Sequence, residues 1–167
     1  MPSLEIWLRT APIAPFSGTV YRIASARYRN NLLSMRGSLL HGARYNIRGA
    51  FGTLYTSLTP ELARLEMARY FTVPPKDGFV EASISLRLNR VLDLTNPALL
   101  DAAGIAAAGL IASSYIATRE IGLRAWENGI EALLVPSAAD PSSHNLAVFL
   151  DNQRPTWEVA LTGLGAV

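Results

Sequence analysis

Residues 79–88 read FVEASISLRL and alternate without a break. Val80, Ala82, Ile84, Leu86 and Leu88 fall on one side, and Glu81, Ser83, Ser85 and Arg87 on the other. Strand side chains point to opposite faces with a period of two, so the run predicts a strand with one apolar face and one polar face. A helix would scatter the same apolar residues around its whole circumference. A chain carrying this strand has to cover the apolar face with further strands or with helices. Shorter runs of strand character occur at 4–9 (LEIWLR), 19–24, 52–58, 90–94, 131–137, 145–150 and 156–162. Two helices are marked by their ends. One is expected over 59–71, with Thr59 as N-cap, Pro60 in the first turn and Pro74-Pro75 beyond it. The other is expected from about 114 to 127, stopped by Asn128-Gly129. A weaker helical pattern covers 97–110. Strands and helices do not alternate regularly, so the expectation is one α+β domain over residues 1–167 with a mixed or antiparallel sheet.

Composition narrows the function classes. Half of the 167 residues are hydrophobic and 17% are charged, below the roughly 25% of an average soluble domain. That is enough apolar surface to offset the entropy of ordering. No run of about 18 apolar residues suggests a membrane span. The N-terminus lacks a basic region followed by an apolar core, so a cytoplasmic protein is expected. Cysteine is absent, which excludes disulfides and thiol nucleophiles, and His41 and His144 alone do not make a zinc site. Of the fifteen basic residues only Lys76 is a lysine. Arginine presents a planar fork that suits phosphate oxygens. A net charge of +2 with no long basic run does not describe a nucleic-acid binder. The apolar surface content permits a homodimer.

One carboxylate breaks the pattern of its helix. At about 100° per residue, Leu62, Ala63, Met67, Tyr70 and Phe71 form an apolar stripe, and Glu66 lies within it. A carboxylate in such a place calls for a partner or a purpose. It is either a structural ion pair to Arg22 or Arg44, or a group facing a site. Arg44 sits in GARYN among Gly42, Gly49 and Gly52, where backbone can approach a ligand closely and the guanidinium can meet phosphate. Arg22 lies in VYRIA, and Tyr55 and Ser57 share one face of their strand. Ser142 and Ser143 next to His144 lack a nucleophile elbow, so serine-hydrolase chemistry is not expected.

In order and spacing these pieces resemble the RES domain family. The residues that carry the likeness are YRI (21–23), GARYN with Gly49, LYTS (54–57), LARLE (62–66), GIEALLVPSA (129–138) and NLAVF (145–149), spanning about 20–150. The resemblance implies an ADP-ribosyltransferase-like fold, with two small sheets around a cleft and flanking helices. It implies NAD+ as substrate rather than cofactor, and a bacterial toxin that hydrolyses or phosphorolyses the nicotinamide–ribose bond. Some members instead transfer ADP-ribose to a protein. The implied partner is an Xre-family helix-turn-helix antitoxin that blocks the cleft. Carried over, Glu66, Arg44 and Tyr55 would be catalytic. Arg22, Arg44, Tyr45, Ser57, Thr118 and Ser137 would surround NAD+, with the two arginines on its pyrophosphate. Tyr45 stands where tryptophan is commoner, and Thr118-Arg119 where Thr-Gln is common. The third signature residue is therefore Ser114, Thr118 or Ser137.

Overall fold

The computed structural model describes residues 3–167. Its elements, in chain order, are α1 (Leu4–Thr10), β1 (Ile13–Ser25), α2 (Arg36–His41), β2 (Leu54–Ser57), α3 (Pro60–Tyr70) and β3 (Phe79–Asp93). There follow α4 (Pro97–Ala103), α5 (Ala107–Ile111), α6 (Ile116–Glu127), β4 (Ala132–Pro136), β5 (His144–Val148) and β6 (Glu158–Ala166). The α+β class is as expected. The strands, however, make one six-stranded sheet in the order β1-β2-β5-β4-β3-β6, not two small sheets. An added β1–β3 pairing closes β1, β2, β5, β4 and β3 into a ring, with β6 continuing the sheet from β3. All pairings are antiparallel except β3 with β4.

The alternation at 79–88 becomes the first part of β3, and all five of its apolar residues are at most 2% exposed. They join Val20, Leu54, Leu146 and Val148 in one core. The intervening positions of the short strands face a second core. Tyr55, Leu133, Val135, Ala147 and Phe149 meet Trp7, Leu8, Leu110, Ile121 and Ala125 from the helices there. The period of two thus sorts each short strand between two cores.

Three expectations fail for identifiable reasons. Residues 4–9 are helical: the Ser3 side chain accepts from the Ile6 N–H, and Arg9 pairs with Glu5 one turn away. Trp7, Leu8 and Ala11 are buried together at helical spacing. The 97–110 helix is two helices, because Gly104 takes a left-handed conformation (φ 67°) and ends α4. The expected strands at 79–88 and 90–94 are one continuous strand. Helix α2 was not expected at all.

Midway along β3 the strand is met by Glu131, which is fully buried. Its Oε2 accepts from the backbone N–H groups of Asn89 (2.6 Å) and Arg90 (3.0 Å), where β3 passes from pairing with β6 to pairing with β4. Glu131→Ala would strand both donors. The expected cost is about 3 kcal/mol, read as a lower denaturation midpoint with an unchanged m-value.

Candidate functional site

The partition of the strands also builds a cleft. Cross-strand register places Asn145 between Ser57 of β2 and Val135 of β4, so these three share a face of the sheet with Tyr55. Ser137 follows directly after β4. Helix α3 lies against this region, started by the Thr59 side chain accepting from the Leu62 N–H and by Pro60 at its first turn. Leu62 and Ala63 are buried, but Tyr70 is 69% exposed, so only the first half of the expected apolar stripe packs. The second half, with Glu66, Met67 and Tyr70, borders a cleft of about 510 Å³, within the range of roughly 300–1,000 Å³ usual for small-molecule sites. Arg22, Arg44, Tyr45, Tyr55, Ser57 and Arg69 border the same cleft.

Glu66 is paired with neither Arg22 nor Arg44. Its Oε1 accepts from the Ser137 hydroxyl and from Asn145 Nδ2, each at 2.6 Å. The Ser137 oxygen in turn accepts from the N–H groups of Ala139 (2.9 Å) and Asp140 (3.1 Å). The Ser57 hydroxyl donates to Asn145 Oδ1 (2.8 Å). The nearest cation, Arg69 Nη1, stands 3.9 Å from Oε2 and is half-exposed, an arrangement worth little energy.

The arginines hold backbone carbonyls of other segments. Arg22 Nη1 donates to the carbonyls of Leu32 (3.0 Å) and Ser34 (3.2 Å), and burial lowers its pKa from the ordinary value. Arg44 Nη1 donates to the carbonyls of Leu110 (3.1 Å) and Ala112 (2.7 Å), with its guanidinium 4.5 Å from the centre of the Tyr115 ring. Each guanidinium has five N–H donors, so donors remain beyond those on Nη1.

Tyr55 is a pillar between two segments. Its hydroxyl donates to Asn46 Oδ1 (3.0 Å) and accepts from the Tyr45 N–H (2.9 Å). Burial raises the pKa of both tyrosines above the ordinary value. The Tyr45 ring packs in the helix-side core while bordering the cleft. Thr118 is elsewhere: it is fully buried, its hydroxyl donates to the Tyr115 carbonyl (3.2 Å), and it does not border the cleft. Of Ser114, Thr118 and Ser137, only Ser137 reaches Glu66. Ser142 and Ser143 donate to Asp140 in a turn, away from any serine-hydrolase arrangement. The residues missed from the sequence are Asn145, Asn46 and Arg69. Asn46 and Asn145 stand in motifs that carry the family likeness, but the pairing of Asn145 with Ser57 comes from strand register, which no single strand reveals.

The sequence matches the RES domain family over residues 19–161, nearly the whole chain. The chain is a RES domain. No curated protein matches the sequence significantly. Among solved structures, the RES domain shares its fold with a chain of the crystal structure of the M. tuberculosis MbcT–MbcA toxin–antitoxin complex. The TM-score is 0.84, at 22% identity, over 98% of this chain and 91% of that one. At that identity the likeness is one of fold. The family match reaches into β6 and leaves α1 outside. Among the described residues, no helix is long and apolar enough to cross a membrane.

Proposed function

We propose that this RES domain is the toxin of a toxin–antitoxin pair and cleaves NAD+ at the nicotinamide–ribose bond, acting in the cytoplasm. The observation that carries the reading is the cradle of Glu66: two donors hold one carboxylate oxygen of a residue that borders the cleft. In C–N cleavage the bonding pair leaves with the pyridinium nitrogen, so nicotinamide departs as a neutral molecule and the ribose becomes oxocarbenium-like. A fixed negative charge beside that carbon stabilises the transition state more than the substrate. Water, giving up a proton to solvent, or phosphate through one of its oxygens then bonds to the anomeric carbon.

Arg22 and Arg44 suit the pyrophosphate through the donors not spent on backbone carbonyls. Tyr55 and Tyr45 serve as a rigid wall, and Ser137 orients Glu66. A direct role for Thr118 on NAD+ finds no support in its position. The antitoxin reading draws on the family resemblance and on MbcT, which is found in complex with its antitoxin MbcA. The expected partner is an Xre-type helix-turn-helix protein that covers the cleft.

The test is to incubate the purified RES domain with NAD+, with and without phosphate, and to follow nicotinamide by chromatography. Release is expected, and a rate that rises with phosphate identifies phosphorolysis. Label from NAD+ appearing on protein in a cell extract would move the reading to protein ADP-ribosylation. No release and no label would end it.

A further inference from the structure

We infer that Asn145, oriented by Ser57, is a positioning residue that locks the plane of the Glu66 carboxylate and keeps Oε2 as its cleft-facing acceptor. The inference rests on the reading of Glu66 as the group that faces the ribose. Three directional constraints carry it.

First, the Asn145 amide has one workable orientation. With Nδ2 toward Glu66 Oε1 (2.6 Å) and Oδ1 toward the Ser57 hydroxyl (2.8 Å), both contacts pair a donor with an acceptor. Flipping the amide would place its oxygen against a carboxylate oxygen at the same distance, two acceptors with no proton between them. Second, Ser137 has a single direction in which to donate. Its oxygen already accepts two backbone N–H groups, so its proton goes to Glu66. Third, both donors reach the same oxygen. Converging donors from β5 and from the turn after β4 fix the carboxylate's rotation, and among the described residues the one cation within 4 Å of Oε2 is Arg69, 3.9 Å away.

Ser57 is thereby assigned to Asn145 and not to NAD+. It is 4% exposed, lies opposite Asn145 in the β2–β5 ladder, and its proton is already directed to Oδ1. The chain Ser57–Asn145–Glu66 runs from the sheet to the helix without a charged member before Glu66. This matters because a carboxyl in place of the amide would sit about as close to Glu66 as the amide does now. Two acids at that separation share a proton and titrate as a pair, with one step moved to higher pH.

The experiment compares Asn145→Asp, Asn145→Ala and Ser57→Ala with the parent chain. It uses the pH profile of nicotinamide release and the carbon-13 NMR titration of the Glu66 side-chain carboxyl. Asn145→Asp is expected to move the acidic limb of the profile, and the Glu66 titration, upward by one pH unit or more. Asn145→Ala is expected to lower kcat about tenfold with little change in KM. Ser57→Ala is expected to act in the same direction as Asn145→Ala but less. A residue that only supported the fold would lower stability in Asn145→Asp without moving the Glu66 titration.

If the parent chain releases no nicotinamide, the NAD+ reading falls while the NMR titration still decides the role of Asn145. If Asn145→Asp does not fold, the other two variants decide it through the fall in kcat at nearly constant KM, because one removes and the other loosens the donor on Oε1. An unmoved Glu66 titration in a folded Asn145→Asp, or an unchanged kcat in both Asn145→Ala and Ser57→Ala, overturns the inference.

Discussion

Glu66→Gln is expected to cut nicotinamide release by about a thousandfold while leaving the protein folded. The substitution is informative because of where the two hydrogen bonds fall. Ser137 and Asn145 both donate to Oε1, so a glutamine can keep both with its carbonyl oxygen. What changes is the other carboxylate oxygen, from a charged acceptor to an NH2 donor. Beyond that, glutamine forgoes only the loose approach of Arg69 at 3.9 Å. Stability should therefore move by less than about 1 kcal/mol. Glu66→Ala is the cruder test, since it strands the Ser137 hydroxyl and the Asn145 amide and confounds catalysis with folding. Thermal melts and nicotinamide assays on the same Glu66→Gln preparation separate the two effects. A variant that melts normally and turns over at the parent rate would make Glu66 a structural carboxylate and remove the basis for the proposed chemistry.

How much of this was legible before the fold was known follows from the range of each signal. The alternation of Val80 to Leu88 and the caps of α3 are local, and both appear in the structure where the sequence places them. Glu66 was legible because it violated a local pattern. Its partners were not: Ser137 and Asn145 are 71 and 79 residues away along the chain. The same limit applies to Arg22 and Arg44. An isolated arginine in a glycine-rich turn has the chemistry for phosphate, but backbone carbonyls compete for the same donors. Leu110 and Ala112 come to Arg44 only through the packing of α5 and α6. Thr118 shows the converse, since a hydroxyl in a polar stretch turned inward with its helix. Residues 4–9 were misread because so short a span of Leu, Ile and Trp carries either period, and the deciding signal was the Ser3 cap. Closure of the sheet was out of reach, because nothing in β1 alone says that it pairs with both β2 and β3.

Gly122→Ala is expected to destabilise the protein by about 3 kcal/mol, at the upper end of overpacking costs, lowering Tm by roughly 6–12 °C. Helix propensity alone predicts the opposite sign, since alanine is favoured over glycine in a helix by about 1 kcal/mol. The sign is decided by what a methyl group would meet. A Cβ at Gly122 would lie 1.9 Å from the Tyr45 carbonyl oxygen and 2.7 Å from its carbon. Both are backbone atoms and cannot rotate away, so α6 would have to separate from the segment around Tyr45. That segment carries much of the cleft wall. The Tyr45 N–H and Asn46 hold the Tyr55 hydroxyl, and Arg119 of α6 donates to the Ala43 carbonyl (3.0 Å). Arg44 lies between these attachments. The variant should therefore lose affinity for NAD+ as well as stability, even though Gly122 does not border the cleft. Gly109→Ala in α5 is the matched control, because a Cβ there meets nothing within 4 Å. It should leave stability unchanged or raise it by up to about 1 kcal/mol. If both substitutions behave alike in thermal melts, propensity governs α6 and the close approach to Tyr45 is not what positions it.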